Sequence, residues 1–295
     1  MRRPSFIIAG TLPSGTGHLY GLLRQHPEIY LPAVMQPECN FFCKSGLYEK
    51  GIEYYLERWF ADARNEKAVG ERSSLLLSSV LGPERVAKHL PDVRLIFLLR
   101  NPVDRAYANY RFTALAGYED ATFDEALEAE PVRFEEASRD AFWSEILPHA
   151  YVGRGYYAQQ LERWLEHFPA EQMLLMRSDE LLRDQAGALR KVYRFLDVDD
   201  GFDAEDFSDF SSPAVFDAKL QSRLRREAPK EFDAAVQRVR ERQPPRTELE
   251  RAVFANVQTG YAPLAEALRR RLTAQFAPSN RQLRSMVTFS LDDWL

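Results

Sequence analysis

Between Gly10 and Gly17 the chain reads GTLPSGTG, a run of small and hydroxyl-bearing residues set between an apolar segment and a leucine-spaced one. Small residues let successive backbone N–H groups turn toward one point. Where such a loop runs straight into a helix, the unpaired first-turn N–H groups and the positive dipole end join them. Thr11, Ser14 and Thr16 can add hydroxyls, Gly15 and Gly17 admit a ligand close to the backbone, and His18 follows on the first helical turn. This loop suits the binding of a phosphate or a sulfate. Read alone, the same residues also suit a glycine-rich strand-to-helix turn with no ligand. A nucleotide-hydrolysing P-loop needs Lys and then Ser or Thr after its second glycine. Here Thr16-Gly17 follow Gly15, and the first lysine of the chain is Lys44.

Arg100 is a second candidate anion ligand, because it directly follows the apolar run VRLIFLL. Ligands of open α/β sheets bind at the carboxyl ends of the strands, and a guanidinium there can grip a phosphate through paired, charge-assisted hydrogen bonds. Arg105, further into the next segment, suits a structural ion pair better.

The elements that must hold these residues follow from hydrophobic pattern. Ser5–Gly10 (SFIIAG) reads as a buried strand, and Leu19, Leu22 and Leu23 share one face of a helix that His26-Pro27 stops. Ala68–Ser73 reads as a second strand and Val93–Leu99 as the clearest one, bounded by Pro91-Asp92 and Asn101-Pro102. Pro102 suits the first turn of a helix reaching about Leu115. A short helix over Glu84–Leu90, a helix over Gly155–Phe168 with Tyr157, Leu161, Trp164, Leu165 and Phe168 on one face, a strand over Met173–Met176 and a helix through Phe195 complete the alternation. The fold class expected is α/β: a P-loop-type parallel β-sheet flanked by helices on both faces, with a helical C-terminal part after about Asp197. With no internal repeat or linker, residues 1–295 read as one domain.

Composition narrows the partners. A net charge of −5 provides no global basic field for nucleic acid, so an anion must be held locally. The chain has two cysteines, Cys39 and Cys43, read as reduced thiols, and five scattered histidines, so no metal is expected. No run is long enough to span a bilayer, and a cytoplasmic location is the expectation. Oligomeric state is left open.

The order and spacing of four segments resemble the PAPS-dependent sulfotransferases of the bacterial and Golgi type, over most of the chain: GTLPSGTGHL with the following LLRQHPEIYLP, RNPVDRAYANY from Arg100 to Tyr110, GYYAQQLERWLEHFP with EQMLLMRSDEL, and FAPSNRQL near the end. The resemblance implies that the first loop, through Thr11, Ser14, Gly15, Thr16, Gly17 and His18, holds the 5′-phosphosulfate of 3′-phosphoadenylyl sulfate (PAPS). It implies that Arg100 takes the 3′-phosphate. The family's K-E-x-x-F-F glutamate corresponds to Glu38, which makes Glu38 the implied general base. Arg72, in GERSS, stands where many members have lysine, and is implied to neutralise charge or orient the acceptor; a structural pairing with Glu71 or another acid is the alternative. Tyr157 and Phe41 are candidates to line the acceptor pocket, though both also suit core packing, and residues 111–150 are a candidate acceptor lid.

The chain departs from the family's pattern at Pro13 (loop lysine), Gly17 (second loop threonine), Pro37 (lysine before the base) and Ala108 (serine beside Arg100). His18, Arg72 or Lys44 is expected to replace the missing charge, and His18 is an alternative base. The activity implied is transfer of a sulfuryl group from PAPS to a hydroxyl or amine of a small-molecule, sugar or lipid acceptor, giving PAP, with no metal. The alternatives are a catalytically impaired relative that binds a nucleotide or partner without turnover, and a P-loop kinase or NTPase, which the absent lysine opposes.

Overall fold

The structure is a computed structural model that describes residues 2–33, 38–137, 147–206, 213–260 and 262–295. At its centre β1 (Phe6–Gly10) is buried along its whole length, as an unbroken apolar strand covered on both faces must be. The chain then forms α1 (Thr16–Leu23), β2 (Ile29–Tyr30), α2 (Ser45–Tyr48), α3 (Gly51–Phe60), β3 (Ala68–Arg72), α4 (Gly82–His89) and β4 (Arg94–Leu99). Next come α5 (Pro102–Leu115), α6 (Phe123–Ala137), α7 (Tyr157–Leu165), β5 (Met173–Arg177), α8 (Glu180–Arg183) and α9 (Gln185–Leu196). The five strands pair in parallel in the order β2-β3-β1-β4-β5.

Strand alternation divides the core. Ile7 and Ala9 of β1, with Leu95, Phe97 and Leu99 of β4, meet Tyr55, Val86, Leu161 and Trp164 on one face. Phe6, Ile8, Ile96 and Leu98 meet Leu19, Leu22 and Leu23 of α1 and Leu189, Val192 and Leu196 of α9 on the other. The parallel sheet with helices on both faces is therefore the fold expected from the alternation of elements. Leu165 is the exception in its helix: it is exposed, whereas Tyr157, Ala158, Leu161 and Trp164 pack in the core on that face.

The helical C-terminal part comprises α10 (Ala218–Glu227), α11 (Pro229–Arg240), α12 (Glu248–Ala255) and α13 (Glu266–Leu283). It also contains an antiparallel pair, β6 (Pro213–Val215) and β7 (Val257–Thr259). Leu115 at the end of α5 packs with Leu224, Phe232 and Val236, so this part joins the sheet domain through α5. No helix among the described residues is long and apolar enough to cross a membrane.

The chain moves to one side of β1 to build β3 and to the other to build β4, so the strand order reverses at β1. Reversal opens a crevice at the carboxyl ends of the strands. Those ends carry the Thr11–Gly15 loop, Arg72 and Arg100.

Candidate functional site

The loop after β1 is held from beneath by backbone contacts. The Thr11 N–H donates to the Leu98 carbonyl at 2.9 Å, and the Ser14 hydroxyl donates back to the Thr11 carbonyl. Gly15 has φ +83°, a left-handed conformation that favours glycine, and turns the chain into α1. The first bonds of the turn run from His18 and Leu19 to the Gly15 carbonyl at 3.0 and 3.1 Å. The N–H groups of Thr16 and Gly17 thus stand ahead of the helical ladder, where an anion can use them. Thr11, Ser14 and Thr16 are themselves buried.

Arg105 fastens the same loop. Its fully buried guanidinium donates to the Leu12 carbonyl at 2.9 Å, to Asn109 Oδ1 at 3.1 Å and to the Tyr151 carbonyl. It is structural, as expected. Its hydrogen-bond partners, however, are neutral oxygens and not the acid of an ion pair, so it orients the loop through carbonyls and an amide.

Arg72 and Glu38 meet. Arg72 Nη2 lies 3.2 Å from Glu38 Oε1, with both side chains largely buried. Glu38 Oε2 accepts from the Ser74 N–H at 2.8 Å and from the Ser74 hydroxyl at 2.6 Å. The other end of the guanidinium reaches α1: a Cβ built on Gly17 would lie 2.6 Å from Arg72 Nη1. The departure at Gly17 therefore has a physical reason. A threonine there would displace the guanidinium that links the anion loop to the carboxylate.

The acid that pairs with Arg72 is Glu38 and not its neighbour Glu71, because consecutive strand residues point to opposite faces. Glu71 is fully buried and accepts from the Ser73 hydroxyl at 2.9 Å and the Tyr55 hydroxyl at 3.4 Å. Ser73 Oγ in turn accepts from the Asn40 N–H at 2.8 Å, which anchors the segment carrying Glu38. Burial is the main cause that pushes the Glu71 carboxyl up, to about 7. The folded chain then holds a proton that the unfolded chain releases between about pH 4.5 and 7. This stability is fully present below the unfolded pKa and is lost as pH rises through about 7. Between pH 5 and 8 the native protein should lose about 2–3 kcal/mol more than Glu71→Gln, because about 1.8 pKa units of the difference between the two states fall in that window at 1.36 kcal/mol each. Urea midpoints at the two pH values test this; equal slopes for both proteins would refute it.

The remaining predicted residues are more scattered. His18 projects toward Asp206, whose Oδ1 lies 4.0 Å from Nε2, and toward Gln185 of α9. Burial lowers its pKa against the pull of Asp206, which disfavours the charged imidazolium that would replace the loop lysine. Tyr157 and Phe41, expected as acceptor contacts, are both core side chains with no exposed surface. The Tyr157 hydroxyl donates to the Arg100 carbonyl at 2.8 Å and so supports the turn below that arginine. Phe41 stacks on Tyr55 at 4.7 Å between ring centroids. Cys39 and Cys43 are buried and unbridged, and no group of three metal-ligating side chains occurs among the described residues. Pro37 and residues 138–146 of the 111–150 lid lie outside the described residues.

Arg100 is half-buried at the end of β4, where Asn101 caps α5 by accepting from Val103 and Asp104 and Pro102 occupies the first turn. It opens onto a cavity of about 260 Å³ lined also by Pro13, Ala108, Arg111, Phe112 and Arg240. Glu38 lines a different cavity, of about 430 Å³, with Lys44, Tyr54, Arg58, Trp59 and Asp62. The two are joined through named contacts: Glu38 to Arg72, Arg72 to Gly17, and the Gly10–Gly17 loop to Pro13. Arg240 was not among the sequence candidates, and Arg111 was included only as the first residue of the candidate acceptor lid.

The model of the sulfotransferase domain family matches residues 3–239. Among curated proteins, the bifunctional heparan sulfate N-deacetylase/N-sulfotransferase 2 of Homo sapiens is 29% identical over 204 residues, 67% of this chain and 22% of that protein. The heparan sulfate glucosamine 3-O-sulfotransferase 3B1 of Mus musculus is 32% identical over 196 residues, 65% of this chain and 46% of that protein. The chain thus matches less than half the length of either relative. The fold is similar to the crystal structure of a sulfotransferase from Alicyclobacillus acidocaldarius, with TM-score 0.71 and 26% identity over 100% of this chain and 99% of that one.

Proposed function

The chain belongs to the sulfotransferase family, and on that premise we propose that it moves a sulfuryl group from PAPS to a hydroxyl or amine of a small-molecule, sugar or lipid acceptor. The observation that carries this reading is the continuous line from a carboxylate, through a buried guanidinium and an anion loop, to an arginine-lined cavity. The donor's 5′-phosphosulfate suits the Thr16 and Gly17 N–H groups, and its 3′-phosphate suits Arg100. The acceptor suits the cavity that Glu38 lines, where Tyr54 and Trp59 provide ring faces and Lys44, Arg58 and Asp62 provide charge. The two relatives are sulfotransferases of heparan sulfate and of its glucosamine, which supports a sugar among these classes.

The reaction would be an in-line displacement. The acceptor oxygen or nitrogen forms a bond to sulfur as the bond from sulfur to the phosphate oxygen breaks. The acceptor's proton passes to Glu38, and PAP leaves with the negative charge. Positioning and stabilisation of that charge dominate such transfers. The loop amides and Arg72 stand where the charge develops, and Arg72 takes the role of the lysine that Pro13 replaces.

Titration with PAP should give saturable binding at one site per chain, and PAPS with a panel of alcohols and amines should give sulfated product by mass spectrometry. Binding with no product over sugar, lipid and phenolic acceptors would instead support a non-catalytic nucleotide binder. Absence of PAP binding would overturn the donor assignment.

A further inference from the structure

We propose that Arg111 and Arg240 hold the donor's 3′-phosphate together with Arg100, in place of the hydroxyl that Ala108 lacks. This rests on the donor reading above. The cavity beside Arg100 is lined by three arginines from different elements: Arg100 at the end of β4, Arg111 on α5 and Arg240 at the last turn of α11. Ala108 lines it too, so the side chain that would have completed the site with Arg100 is replaced by a methyl group within the same cavity. Pro13 closes the side toward the anion loop. A nucleotide with its 5′-phosphate on that loop therefore has its other phosphate on the arginine side.

The packing around the arginines is specific. The Arg240 guanidinium sits 4.3 Å from the ring centroid of Phe112, and Arg111 sits 5.9 Å from that of Tyr107. A guanidinium offers paired in-plane N–H donors that match a phosphate, a geometry an ammonium group lacks. Arg111 lies three residues beyond Ala108, so the two share one face of α5. Arg240 lies one residue past the family match at 239, and α11 brings it to the site because Val236 and Val239 pack in the cluster that holds Leu115. The C-terminal helical part thus contributes one wall of the donor pocket, through Pro213 and Arg240. A mildly acidic protein then holds a dianion through a local cluster and not through its overall field.

The test compares PAP with 5′-AMP, which lacks only the 3′-phosphate. Calorimetry on the unchanged protein should show a preference for PAP. Arg111→Gln and Arg240→Gln should each reduce that preference about 10-fold, since a charge-assisted hydrogen bond contributes about 1.5 kcal/mol or more and 1.4 kcal/mol is tenfold. Binding of 5′-AMP should stay within about threefold, which also reports an intact fold. Ala108→Ser in the double variant should recover part of the preference. An unchanged PAP-to-AMP ratio in both variants would overturn the inference and leave the donor reading standing. A native chain that binds neither nucleotide would overturn both.

Discussion

Arg72→Ala should lower turnover about 10²–10³-fold, the loss that follows removal of one preorganised group from a site of developing charge. PAP should still bind, with a weaker grip on its 5′-phosphate, because Arg72 meets the loop at Gly17 and the carboxylate at Glu38 while the arginine-lined cavity is separate. Arg72→Lys should recover part of the rate, since it keeps the charge but loses the fork that spans both partners. Gly17→Ala should act in the same direction: its Cβ would stand 2.6 Å from Arg72 Nη1 and must push the guanidinium aside. Two roles of Arg72 need separating, as a charge for the leaving group and as the partner of Glu38. Pro13→Lys in the Arg72→Ala background restores a loop charge but no partner for Glu38. Recovery of turnover by that second change identifies the charge as the missing part. Turnover of Arg72→Ala within about threefold of the native rate, against the losses expected at such sites, would remove Arg72 from the machinery.

Where chemistry requires a particular backbone, the sequence showed it. An apolar run buried on both faces has few alternatives to a central strand, and Asn101-Pro102 can only open a helix, so Arg100 was placed at the sheet edge from residue types alone. The Gly10–Gly17 turn was legible for the same reason. Side-chain destinations were less so. Helical spacing marks Tyr157 as inward-facing, yet periodicity does not distinguish a core from a pocket, and the ring proved fully buried beneath Arg100. Phe41, for which packing was the alternative reading, is likewise buried, against Tyr55. His18 follows the loop in sequence, but α1 rotates its side chain toward Asp206. Arg240 had no local signal, because its relation to Arg100 exists only after α11 folds against α5. Gly17 and Arg72 are the most instructive pair. Each looked like an isolated departure from the family's pattern, and only the distance between them shows that one makes room for the other.

Glu38→Gln should reduce turnover about 10²–10⁴-fold, the range over which a positioned base contributes to proton transfer. The substitution keeps shape and leaves an amide oxygen to accept from the Ser74 N–H and hydroxyl, while the Asn40–Ser73 bond is untouched, so the local framework should survive. It removes proton acceptance and the ion pair with Arg72 together. A purely structural carboxylate would lose activity equally with every acceptor. A base would not: the more acidic the acceptor hydroxyl, the less its transfer depends on proton removal. Glu38→Gln should therefore lose least with phenols bearing electron-withdrawing groups and most with aliphatic alcohols, and a plot of log rate against acceptor acidity should steepen relative to the native protein. Parallel plots would mean that Glu38 only holds Arg72. The double variant with Arg72→Ala sharpens the distinction, because groups acting as one unit are not additive. Its rate should stand near that of the slower single variant, since each substitution already breaks the link between the loop and the carboxylate.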